Sequence, residues 1–283
     1  MKKILSIILV LLLFAAPVWA EREDEPEREP FFTALLLGID EGGEQSITDA
    51  EFGRADAVML ISIGMKTGRI RMLSVERDFM VELPDYGVNK LCIACYLLGP
   101  EGTLDMINRI FELDIENYGL INPEGIERIV NAIGGIEVEI DQEDLYIRIR
   151  KTGKKAFSKA GVQKINGAQA RALVRTRTED SDPVRNIRQF KVLTALYEKV
   201  SAGGLDVAIK FVTNTLPYVK TNMGFGEITA MITPLLSNDF NMPEHARVPF
   251  YDYQTKLINL HYVVVADDME MEIEQVRAFL YGE

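Results

Sequence analysis

Residues 31–40, FFTALLLGID, hold no charge before Asp40. A run this short and this apolar predicts a strand covered on both faces, passing into a loop at Gly38 to Asp40. DAVMLISIG (56–64) and RIRMLSV (69–75) are strand-like runs separated by MKTG, which is a hairpin signal. FMVELP (79–84) continues as a third strand that Pro84 stops. Apolar positions then recur at helical spacing over Val88–Leu98 and Thr103–Leu113.

YGLIN (118–122) reads as a short strand. Asn122-Pro123 is a helix start, an amide at the N-cap followed by proline at the first helical position. The helix EGIERIVNAI (124–133) ends at Gly134-Gly135, and IEVEI (136–140) alternates as a strand. Residues 141–160 are charged and irregular. Further helices are predicted at Asn166–Val174, breaking near Arg175, and at 185–200, Leu205–Leu216, Glu227–Leu236 and Met269–Tyr281. ARVPF (246–250) and HYVVVAD (261–267) are late strands. Strands and helices mix without an internal repeat or linker, so the class is α/β and residues 31–283 form one domain.

The N-terminus changes the setting. Lys2 and Lys3 precede an apolar run from Ile4 to Ala16, and Val18-Trp19-Ala20 offers a cleavage site. Residues 1–20 are thus a signal peptide or an N-terminal membrane anchor, and both place the protein outside the cytoplasm. Residues 21–30 are an acidic, proline-containing linker. The formal net charge of -12 and sequence pI near 4.9 argue against nucleic-acid binding. The two cysteines, Cys92 and Cys95, form a C-x-x-C. A disulfide, redox or metal pair would have this spacing, but His245 and His261 lie far away in sequence. The expected state is two small apolar thiols on one helix face.

Against the acidic background, residues 171–190 gather five arginines: Arg171, Arg175, Arg177, Arg185 and Arg188. Arg175 and Arg177 share a face if extended. Arg185, Arg188 and Gln189 share a side of a helix, with Arg185 near its N-terminus. Other charges sit at strand ends: Asp40, then Arg54 and Asp56 two apart, then Arg77-Asp78. Each arginine alone would be a surface ion pair. Together, planar forks bind phosphate oxygens in pairs. Carboxylates beside a phosphate call for a divalent cation between them, and magnesium binds through one or two carboxylates plus phosphate oxygens.

The order of these motifs resembles the LytR-CpsA-Psr family of envelope proteins. The matching segments are LLLGID (35–40), RAD (54–56), SVERD (74–78), NKL (89–91), GIERIVNAIGGIEVEI (125–140), INGAQARALVRTR (165–177) and DPVRNIRQ (182–189). The resemblance implies a single domain with a central mixed β-sheet flanked by helices. It implies a phosphotransferase that moves a phosphate-linked glycopolymer, teichoic acid- or capsule-like, from polyprenyl pyrophosphate to peptidoglycan at the outer face of the cell membrane or in the cell wall. It implies Mg2+ on Asp40 and Asp56. Arg77, Asp78, Arg175 and Arg177 would be catalytic, and Arg54, Lys90, Arg185 and Gln189 would bind substrate. Asp78 would serve either as a base or as an orienter of Arg77, and the orienter is favoured because the sequence shows no distance from it to the acceptor. Apolar strands and helices would enclose the lipid tail, although 126–133 and 190–200 read equally well as core helices.

Three departures stand out. Ala55 replaces a common serine and Glu76 a common proline, both expected to matter little. Cys92 replaces a common asparagine, which is expected to leave Lys90 without a polar neighbour. Competing readings are an exported binding protein for lipid-linked phosphoglycans and a polyprenyl-pyrophosphate hydrolase. A pure anion binder gains nothing from Asp40 and Asp56, which favours the enzyme. A transcriptional regulator is disfavoured by export and acidity.

Overall fold

The computed structural model describes residues 29–40, 52–176, 182–232 and 242–282. Its strands are β1 Phe31–Asp40, β2 Arg54–Gly64, β3 Ile70–Val75, β4 Met80–Leu83, β5 Gly87–Lys90, β6 Asn117–Ile121, β7 Ile136–Ile140, β8 Gly161–Ile165, β9 Val219–Thr221, β10 Glu244–Val248, β11 Tyr253–Ile258 and β12 His261–Ala266. Its helices are α1 Leu91–Phe111, α2 Pro123–Ala132, α3 Gly167–Arg175, α4 Asp182–Thr215, α5 Phe225–Ile232 and α6 Met269–Tyr281.

Six strands form a mixed sheet in the order β10-β3-β2-β1-β6-β9. The predicted hairpin β2–β3 is antiparallel, as is β1–β2, while β6 runs parallel to β1. Side chains alternate along β1 as strand geometry requires. Leu35, Leu37 and Ile39 enter the core shared with α1 and α6, where Phe111, Ile107 and Leu280 are fully buried. Leu36 faces the opposite way, toward Met59 of β2 and Leu193 of α4. A third cluster joins α2, α3, α4 and the β7–β8 pair through Ile129, Val130, Leu173 and Phe157. Helices thus cover both faces of the sheet.

Several predicted boundaries move. FMVELP does not extend the central sheet: β4 pairs with β5 outside it. Val88 to Lys90 therefore belong to a strand rather than to the first helical turn. The two predicted helices after it are one element kinked at Gly99, whose φ of 74° interrupts the helix. The predicted helices at 185–200 and 205–216 likewise join as α4, broken at Gly204 with φ 64°. β1 runs to Asp40 instead of looping at Gly38. Residues 141–160 hold a 3-10 turn, Gln142–Tyr146, whose N-terminus is closed by reciprocal bonds between Asp141 and Asp144. Among the described residues, no helix is long and apolar enough to cross a membrane. Residues 1–28 lie outside them, and with them the predicted signal or anchor.

Candidate active site

The parallel pairing of β1 and β6 ends with Gly38 opposite Ile121. At this end the β1–β2 register shifts: Gly38 pairs with Ala57 and Ile39 with Ala55, so the ladder steps over Asp56. A bulge re-aims the side chain at such a position. The Asp56 backbone carbonyl accepts a bond from Arg185 Nη2 at 2.8 Å. Its carboxylate takes Arg77 Nη1 at 2.8 Å. The bulge therefore displays Asp56 between an arginine from the end of β3 and one from the start of α4.

A second set of charges adjoins the first. Asp78 Oδ2 lies 2.9 Å from Lys90 Nζ, and Asp78 Oδ1 lies 3.7 Å from Arg77 Nε. All four side chains are about one-fifth exposed, from 18% for Arg77 to 23% for Lys90. The expectation that Cys92 leaves Lys90 without a polar neighbour is overturned, because Asp78 supplies one. Asp78 holds Lys90 more closely than Arg77, whose near partner is Asp56. The backbone fixes this corner as well: Cys92 N–H donates to Arg77 O at 2.8 Å and Val264 N–H to Asp78 O at 2.8 Å.

Behind Asp56 a cavity of about 240 Å3 opens between the sheet and α2, α3 and α4. Leu36, Met59, Ile126, Val174, Val192 and Leu193 line its interior, and Asp56, Arg175, Arg185 and Gln189 supply its polar groups. Ile126 and Val192 keep the core role that their helical spacing predicts, being buried in the cluster of α2, α3 and α4, and also border the cavity. The pattern cannot distinguish a side chain facing a cavity from one facing a neighbour. Gly38 and Ala57 form a flat part of the wall, where a Cβ on Gly38 would lie 2.9 Å from the Ala57 Cβ.

The arginine-rich segment divides. Arg175 ends α3 and Arg185 begins α4, and both reach the cavity. Arg188 does not, although its spacing places it with them. It is buried with Asp144, Nε to Oδ1 2.7 Å, and donates to Thr176 O at 3.2 Å. Arg171 pairs with Glu127 at 3.0 Å. Gln189 lines the cavity and reaches Val174 O at 3.5 Å. Arg54 is exposed at the rim and is not part of the lining. The bulge breaks the period-two relation that predicted a common face with Asp56. Arg177 and the Asp40 side chain lie outside the described residues, although the Asp40 backbone ends β1 opposite Arg54.

The departures take definite roles. Ala55 is fully buried. Glu76 is buried and accepts from Arg247 at 3.3 Å, so it is a structural pair rather than an idle substitution. Cys92 and Cys95 are free, buried thiols on α1, as expected. Burial, reinforced by the Asp78 charge, pushes the Cys92 thiol up to about 11. At neutral pH it is a protonated, weakly nucleophilic group.

An apolar cavity with guanidinium groups and a carboxylate at its polar end, set in an α/β sandwich, suits an amphiphile with an anionic head. The chain belongs to the LytR_cpsA_psr family, whose model matches residues 19–276. It is 33% identical over 221 residues to an uncharacterized protein of Staphylococcus aureus, covering 76% of this chain and 53% of that one. It is 27% identical over 235 residues to the polyisoprenyl-teichoic acid–peptidoglycan teichoic acid transferase TagT of Bacillus subtilis, covering 82% and 72%. The chain thus spans about half the length of the first relative and nearly three-quarters of the second. The fold is shared with a solved structure of TagT with bound octaprenyl pyrophosphate lipid. Its TM-score is 0.66 at 23% identity, covering 92% of this chain and 94% of that one.

Proposed function

We propose that the protein transfers a phosphate-linked glycopolymer from a polyprenyl-pyrophosphate carrier to peptidoglycan, outside the cytoplasm. The cavity carries this reading: its apolar interior suits a polyprenyl chain and its polar end a pyrophosphate. Membership of a family that includes a teichoic acid transferase supports it.

Arg175 and Arg185 hold the phosphate oxygens by their planar forks. A sugar hydroxyl of the acceptor attacks the phosphorus that bears the polymer. The bond from that phosphorus to the bridging oxygen breaks, and polyprenyl phosphate leaves. Catalysis of such a step is mostly positioning and neutralisation of developing charge. Arg77, held on Asp56, faces the same charge. Asp78 is a positioning residue that fixes Lys90 and, at longer range, Arg77.

Magnesium fits this donor set in one respect. Asp56 presents a carboxylate at the cavity, and a magnesium ion needs only one or two carboxylates when phosphates and water complete its shell. Among the described residues no group of three His, Cys, Asp or Glu could hold a metal alone. Asp56, with Asp40 at the end of β1, would hold the ion, which would neutralise the pyrophosphate when bound.

The test is Arg175→Lys, which keeps the charge and loses the fork. Binding of a polyprenyl pyrophosphate, measured by titration calorimetry, should weaken about tenfold or more, as expected when a charge-assisted bond worth about 1.5–3 kcal/mol is lost. Transfer of labelled polymer to peptidoglycan should fall with it. Wild-type values in both assays would remove Arg175 from the site and with it the pyrophosphate reading. Release of free polymer phosphate without acceptor linkage would instead mark a hydrolase.

A further inference from the structure

One surface runs against the charge of the whole chain. Residues 145–164 contain seven of the 31 lysines and arginines and none of the 43 acidic residues. All seven basic side chains are exposed. Among the described residues none of them forms an ion pair, whereas Arg128, Arg171 and Lys191 nearby are each held by a carboxylate.

Five of the seven, Arg148, Arg150, Lys151, Lys154 and Lys155, sit on a defined hairpin. Arg148 bridges Lys155 in antiparallel fashion. Ile149 N–H donates to Lys154 O at 2.9 Å and Ala156 N–H to Ile147 O at 2.8 Å. Ile147, Ala156 and Phe157 are buried and anchor its base. Arg148 Nη1 also donates to Gly153 O at 3.1 Å, bracing the turn. The base connects to the cavity. Asp144, three residues before Ile147, grips Arg188, and Arg188 donates to the carbonyl of Thr176, the residue after Arg175.

Like charges set side by side repel one another, so this cluster does not help an isolated chain fold. A single phosphate is gripped by converging forks, but here the charges are spread along a ribbon, where alternate residues stand about 6.6 Å apart. Such spacing suits an extended polyanion. A bilayer surface is disfavoured because the tip, Arg150 to Lys154, holds no apolar residue to insert.

We propose that this hairpin binds the phosphodiester backbone of the donor polymer as it leaves the polar end of the cavity. The proposal rests on the transfer reading for its ligand: the cavity takes the carrier chain, so the polymer is what emerges past Arg175.

The experiment uses the full chain and a soluble poly(glycerol phosphate) carrying neither lipid nor pyrophosphate. Replacing Arg150, Lys151, Lys154 and Lys155 together by alanine should weaken binding at least tenfold at low salt. The slope of log K against log salt should drop by roughly 3, from about 0.7 per released charge. Arg148 is retained because it braces the turn. If the fourfold variant melts early, Lys154→Gln with Lys155→Gln should still weaken binding severalfold. Binding within twofold of wild type, or a wild type that does not bind the polymer, overturns the proposal. So does a variant that keeps the polymer but loses phosphatidylglycerol vesicles, which would make the hairpin a membrane contact. A wild type that binds polymer through the hairpin yet binds no polyprenyl pyrophosphate would leave the hairpin site standing and remove the transfer reading.

Discussion

Asp144→Ala probes the buried pair that links the hairpin base to the cavity. Asp144 and Arg188 have side chains 2% and 3% exposed, with Nε and Oδ1 2.7 Å apart. Alanine leaves the guanidinium buried with the Thr176 carbonyl but without a counter-charge. Removing one partner of such a pair costs about 3–5 kcal/mol. Asp144 also accepts the Asp141 N–H at 3.0 Å, and losing that cap adds roughly 1 kcal/mol. For a chain of this length each kcal/mol moves the melting temperature by about 2–4 °C. The expected fall is on the order of 10 °C, read by calorimetry at neutral pH. Asp144→Leu combined with Arg188→Met removes both charges and should recover most of the loss, since apolar replacements of buried pairs are often neutral or better. A fall under 2 °C for Asp144→Ala would refute the reasoning. So would a double variant that melts as low as the single one.

Asp56→Asn keeps shape and loses the charge held by Arg77; transfer should slow about a hundredfold, with more magnesium needed for half-maximal rate, and an unchanged magnesium titration would place the ion elsewhere. Val192→Phe fills the cavity from α4; binding of a long polyprenyl pyrophosphate should weaken much more than that of inorganic pyrophosphate, and equal losses would mean that the chain does not enter. The Cys92 thiol is raised from an ordinary value near 9.0 to about 11. Its stabilising contribution is therefore full below pH 9 and lost as pH rises toward 11. Wild type should lose more melting temperature across that window than Cys92→Ala, and parallel curves would contradict the buried thiol.

Apart from β9, the strands of the central sheet and the starts of α2 and α3 are legible because their signals are local. FFTALLLGID needs no partner to be read as a buried strand, and Asn122-Pro123 caps α2 as its side chain predicts, accepting Gly125 N–H at 2.8 Å. The short strands β5, β8, β9 and β11 carry no such local signal. Their residues, such as GVNK and VKT, lack a strong period and become strands only beside a partner. The site was half legible for the same reason. Asp56, Arg77, Arg175, Arg185 and Gln189 do assemble. Arg188 could not be told from Arg185 by spacing, because its destination depends on Asp144, 44 residues earlier.

The division of the arginines follows from where the backbone leaves carbonyls and carboxylates to be satisfied. At α4 the helix direction sends Arg185 toward the bulge and Arg188 toward the 3-10 turn. Each guanidinium meets a backbone carbonyl there, Asp56 O for one and Thr176 O for the other. Both arginines are buried, but they face different partners. Asp144 closes on Arg188 and holds it away from the cavity, whereas Arg185 lines the cavity beside Asp56. One buried aspartate, 44 residues earlier in the chain, thus commits Arg188 to the fold, which makes Asp144 a determinant of which arginines reach the cavity.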